Sequence, residues 1–307
     1  MARKKIELNS KWLLSEVYSL FENKCRVKNL TENSIKSYKD KFGEFVNFIG
    51  DVPVEEVKEK DIDLFILFLR EKGIKDVSIN SILRAVRAVM NYSYELGYSN
   101  KIQIKLIKQE KEIKETYTEK ELKILLKKPK TNNFNEYKIW VLENYLLGTG
   151  NRISTCLDIK IGDIDFRQST IILRKTKNRK QQIIPLPSSL LAILREYVKI
   201  RNGSDDDYLF CNSYGEKANQ RVIQQMVADY NKKRGVMKTS CHLFRHTFAK
   251  MYILNGGDSF RLQQLLGHSS MYITKEYVNM FSNELSIGYD NFNPLNSIVA
   301  NCEKIKL

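Results

Sequence analysis

Apolar residues recur at helical spacing through residues 10–100, and then the pattern stops. Trp12, Leu13, Val17, Leu20 and Phe21 form one stripe. Ile35, Tyr38, Phe42, Phe45, Val46 and Ile49 form a second after a Thr31 start signal. DIDLFILFLREKG reads as a third helix ended by Gly73. SINSILRAVRAVMNYSYELG reads as a fourth, with Ser78 as N-cap, Gly97 as stop and a stripe of Ile82, Leu83, Val86, Val89 and Met90. Four amphipathic helices can bury these stripes only against one another. Arg84 and Arg87 lie off much of the fourth stripe, and they serve either as a solvated face or as phosphate contacts. Residues 101–116, KIQIKLIKQEKEIKET, have no Gly, no Pro and no amphipathic period, which predicts an extended linker. Its lysines either follow a nucleic-acid backbone or keep the linker solvated.

A second domain begins near YTEKELKILLKK, where Thr118 followed by Glu121 is a capping-box signature. An apolar helix around NEYKIWVLENYLL breaks at Gly148-Thr149-Gly150. Short strands are predicted at Thr170–Leu173 and Gln182–Leu186, joined by a basic turn and closed by Pro187; the remainder is helical. The predicted fold is mainly α, of the α+β kind. A helical domain with its linker spans 1–112, and a mostly helical domain with a small antiparallel sheet spans 113–307. A chain of 307 residues fits two domains.

Lys and Arg number 51 against 36 Asp and Glu, a formal charge of +15 that points to a polyanionic partner, either nucleic acid or an anionic membrane surface. The excess is uneven: 21 basic and 17 acidic residues in 1–112 give +4, and 30 and 19 in the remainder give +11. No run approaches 18 apolar residues, so no membrane span is expected. MARKKIELNSKW has no apolar stretch behind its basic start, so no secretory signal is expected. The five cysteines, Cys25, Cys156, Cys211, Cys241 and Cys302, are odd in number and widely spaced. They read as reduced thiols of a cytoplasmic protein.

Gly148-Thr149-Gly150 is followed by Asn-Arg-Ile-Ser, not Gly-Lys-Ser/Thr, so it reads as a helix break and not as a phosphate cradle. The three histidines fall within 27 residues. His242 and His246 have the i, i+4 spacing of a helical metal pair, but Arg245 lies between them and no Glu does. No metal and no cofactor are expected. His242 and Arg245 stand one turn apart on a helix. Leu266-Gly267-His268 ends 23 residues after Arg245, and Tyr277 follows nine residues later.

Taken in order, these pieces resemble the tyrosine recombinase (phage integrase, Xer-like) family. GTGNR supplies Arg152, the hairpin Lys177, HLFR His242 and Arg245, LLGH His268, and EYV Tyr277. The resemblance runs over essentially the whole chain. It implies that the helical front domain is a core DNA-binding domain and that 117–285 is catalytic. Lys175 and Lys180 share the hairpin with Lys177, and Lys175 is the runner-up. The family places an acidic residue three positions after its first Arg, where this chain has Thr155; Asp158 is a substitute to consider.

The implied chemistry suits the residue types. Two guanidinium forks, Arg152 and Arg245, would clamp the nonbridging oxygens of a phosphodiester. His242 and His268 would donate hydrogen bonds or handle protons. The Tyr277 phenol, with an ordinary pKa of about 10, would attack as an oxyanion favoured by these cations. Lys177 would protonate the leaving oxygen. Arg84, Arg87 and Lys175 are DNA-contact candidates. The implied partner is double-stranded DNA, gripped by a C-shaped clamp. A homotetramer on two DNA sites, monomer or dimer off DNA, is implied too, as are accessory recombination proteins; a membrane is not. Residues 285–307 either pack within the chain or dock on a neighbouring protomer. The rival readings are a type IB topoisomerase and a non-catalytic DNA-binding regulator.

Overall fold

The structure is a computed structural model, and the residues described are 11–108, 115–174, 181–267 and 270–271. The chain divides into two compact units, residues 1–112 and 113–307.

The first unit contains α1 (Leu14–Val27), α2 (Glu32–Ile49), α3 (Glu59–Glu71) and α4 (Asp76–Glu95). Their stripes close on one core, in which Leu14, Phe45, Phe65, Leu69 and Leu83 are fully buried. Thr31 caps α2 by accepting from the Ser34 amide at 3.3 Å. α4 starts earlier than expected: Lys75, not Ser78, is the N-cap, and it makes no side-chain cap bond. The added turn places Asp76 where Arg70 of α3 holds it with two parallel 3.0 Å hydrogen bonds, the charge-assisted fork that favours this start.

Residues 101–108 are extended as predicted, but they are not merely a solvated linker. Buried Asn80 of α4 donates to the Ile107 carbonyl at 2.9 Å and accepts from the Ile107 amide at 2.8 Å, mimicking a strand partner. Ile104 is buried in the core of the same unit.

The second unit comprises α5 (Glu119–Leu125), α6 (Phe134–Thr149), α7 (Ile153–Cys156), β1 (Ile164–Asp165), β2 (Thr170–Leu173), β3 (Gln182–Pro185), α8 (Ser188–Arg201), α9 (Gln220–Lys233), α10 (Cys241–Leu254) and α11 (Ser259–Leu266). The sheet is antiparallel in the order β1-β2-β3, with Ile171 opposite Ile184 and Leu173 opposite Gln182. Thr118 and Glu121 form the capping box of α5. α6 is buried nearly all round and packs against α8, α9 and α10, which makes it the spine of the unit. α11 rests on a separate small cluster made by Leu262, Leu266 and Ala249 of α10.

Candidate active site

The C-terminal end of α6 organises the site. Gly150 caps α6 in the left-handed region (φ 64°). A Cβ there would stand 2.3 Å from Phe248 Cδ1 and 2.8 Å from Leu266 Cδ2. Glycine is therefore required twice over, by its backbone angle and by the approach of α10 and α11. Asn151 is buried and donates to the Tyr145 hydroxyl at 2.7 Å, which fixes the chain as it leaves the helix. Arg152 follows as the N-cap residue of α7.

Arg245 lies on the fifth residue of α10 and is almost wholly buried. Its Nη1 donates to the Gly150 carbonyl and its Nη2 to the Leu266 carbonyl, each at 2.9 Å. One guanidinium thus joins three stretches that are far apart in sequence: the turn before Arg152, its own helix, and the end of α11 just before Gly267-His268. Burying a cation is costly unless its N–H groups find acceptors, so these bonds hold the three stretches in register.

His242 is the second residue of α10. Its amide donates to the capping Ser240 hydroxyl at 3.2 Å, and its side chain is exposed. Its ring meets that of buried His246 edge to face, with centroids 4.4 Å apart. Among the described residues no third ligating side chain completes a metal-binding group with them. Below them the core is low in polarity: burial, reinforced by the Glu143 carboxyl, pushes the Cys241 thiol up to about 12.

Lys175, Lys177, His268 and Tyr277 lie outside the described residues, as does the tail from 285 onward. Their flanks are described. β2 ends at Leu173, and the next side chain, Arg174, is bound to buried Asp163. β3 begins at Gln182, whose amide nitrogen donates to the carbonyls of Gln264 and Leu265 at the end of α11. Thr155 is buried in α7, and Asp158 is bound to Lys217, so its carboxylate is already engaged.

Two polar clefts were not singled out by sequence. In the first unit, Arg84 lines a cleft of about 390 Å³ with Lys41, Asn33, Ser34, Ser37 and Ser81. Arg84 is exposed and Arg87 is half-buried outside this lining. In the second unit, Arg221, Gln224, Gln225, Thr239 and Ser240 line a cleft of about 340 Å³ that ends at Cys241, directly before His242. Neither lining contains a carboxylate. The polar residues of α2 and α9 that line these clefts carry no spacing signal; the clefts form only where α2 packs against α4 and where α9 meets the chain at Thr239–Cys241.

The phage integrase family matches residues 115–284, and the phage integrase N-terminal SAM-like domain matches residues 18–100. The chain is 28% identical to tyrosine recombinase XerA of Pyrococcus furiosus, covering 95% of this chain and 99% of that protein. It is also 28% identical to tyrosine recombinase XerC of Bacillus subtilis, over 87% and 92%. Among solved structures, the Tn1549 transposon integrase in complex with transposon right end DNA is similar, with a TM-score of 0.75, 20% identity and coverage of 90% and 99%. A lambda integrase tetramer bound to a Holliday junction gives a TM-score of 0.72, 16% identity and coverage of 88% and 78%. A family match over more than half of the chain, in register with the site that Arg245 draws together, places this protein in the phage integrase family.

Proposed function

We propose that this protein is a site-specific DNA recombinase that cuts and rejoins strands through Tyr277. The observation that carries the reading is the double hold on Arg245. It sets a permanently charged fork between the turn bearing Arg152 and the helix end leading into His268. A phosphodiester repels nucleophiles and gains charge on its nonbridging oxygens during attack, so fixed cations favour the transition state over the ground state.

In the proposed step, Tyr277 Oη attacks the phosphorus and the bond from phosphorus to the 5′-oxygen breaks. Lys177 delivers a proton to that oxygen as it leaves. The product is a 3′-phosphotyrosine and a free 5′-hydroxyl. Attack by the 5′-hydroxyl of another strand reverses the chemistry on a new partner, and bond energy is conserved. Arg152 and Arg245 hold the oxygens, and His242 and His268 supply further donors or manage protons. The protein acts in the cytoplasm, assembles as a tetramer on two DNA sites, and serves integration and excision of mobile DNA or resolution of dimers. The front unit, residues 1–112, contacts duplex DNA through the Arg84 cleft, where hydroxyls and two cations suit phosphate oxygens. The unit of 113–307 carries the chemistry.

The test is covalent capture. A nicked duplex carrying the site recovered by binding selection is incubated with the full chain. A protein–DNA adduct is expected with the wild type and none with Tyr277→Phe. No adduct from the wild type, or an adduct persisting in Tyr277→Phe, overturns the reading.

A further inference from the structure

Gln182 opens β3, and its side chain crosses to α11. Its Nε2 donates to the Gln264 carbonyl and, at 3.3 Å, to the Leu265 carbonyl. Its Oε1 lies 3.1 Å from where a Cβ on Gly267 would stand. The next carbonyl, that of Leu266, accepts from Arg245. Three consecutive carbonyls at the end of α11 are thus received by side chains from two other elements. The Gln264 carbonyl also accepts from the Gly267 amide at 2.9 Å, whereas the carbonyls of Leu265 and Leu266 have no following helical turn to bond them, so the side-chain bonds they receive help to hold the final turn.

α11 is eight residues long and is seated mainly on the small Ala249–Leu262–Leu266 cluster, with Leu265 packed against the main core of its unit. Gly267 then turns the chain through the left-handed region (φ 61°), and His268 is the next residue.

We propose that Gln182 is a positioning residue for His268: by binding the terminal carbonyls of α11 from the sheet, it sets where that histidine stands. The proposal rests on the catalytic reading of His268 given above. Gln182 itself touches no reacting atom. Its amide is the only part that matters, because a same-length side chain without the N–H group cannot make the two bonds.

The experiment is a double-mutant cycle on the strand-cleavage rate of the nicked duplex, with the full chain. Gln182→Met and Gln182→Glu both keep length and lose the donor, and thermal melts establish that each folds. Either substitution is expected to slow cleavage by tenfold to a hundredfold or thereabouts, the order expected when a catalytic group is displaced by about 1 Å. In a His268→Ala background the same substitutions are expected to change the rate by less than about twofold. In a Lys177→Ala background they keep their full effect. Undiminished slowing in the His268→Ala background, or no slowing in the wild type, overturns the proposal while the reading of the site stands. A wild-type rate in His268→Ala alone overturns the catalytic reading beneath it.

Discussion

Glu143 sits midway along α6 with both carboxylate oxygens buried and without a hydrogen-bond partner. Burial holds its pKa well above the ordinary 4.5, against a smaller opposing pull from Arg234. Once ionised, it would raise the pKa of Tyr117, Tyr230 and Cys241 in turn. Below pH 4.5 it is protonated in both the folded and unfolded chain and costs nothing through ionisation. As pH rises, the unfolded chain releases the proton while the folded chain keeps it. Stability therefore falls by about 1.4 kcal/mol for each pH unit until the folded group titrates. Glu143→Gln cannot ionise. Thermal melts between pH 5 and pH 8 are expected to show the variant gaining on the wild type as pH rises; parallel curves would refute this. The same helix shows why some buried polar groups were not legible. Glu143 lies in an apolar run that reads as core, and a lone Gln at a strand start, such as Gln182, has no spacing to mark it. Arg152, His242 and Arg245 could be singled out as candidates because the family resemblance rests on residue types at set intervals in the chain.

The helices were legible for a different reason: each buries one face, and burial imposes a period. The boundaries were set by partners from elsewhere. α4 gained a turn because Arg70 takes Asp76, and 101–108 docked because Asn80 bonds both polar groups of Ile107. Neither bond can be read from local pattern. Gly150 was legible as a helix break, but its second role, admitting Phe248 and Leu266, belongs to tertiary packing. Gly150→Ala adds both backbone strain and a clash, and a loss of about 2–4 kcal/mol of stability is expected. The second unit should melt at lower temperature and adduct formation should fall with it. A variant as stable and as active as the wild type would contradict this account of how α6, α10 and α11 meet.

The two units each own a core, and the positive excess is concentrated in the second, +11 of the +15. Affinity for duplex DNA should therefore be dominated by phosphate contacts and fall steeply with salt. Arg84→Ala and Lys41→Ala are expected to weaken binding to all duplexes alike. Each should lower the slope of log affinity against log salt by about 1. A sequence-dependent loss with an unchanged slope would reassign that cleft to base reading. Among the described residues no helix is long and apolar enough to cross a membrane. The hold on Arg245 has one more consequence. Both acceptors are main-chain oxygens, at Gly150 and Leu266. Swapping a neighbour's side chain leaves those oxygens in existence; only rerouting the polypeptide removes them. Drift in the surrounding sequence can thus proceed for as long as the path of the chain is kept, and the anchor would survive in descendants whose composition has become hard to recognise.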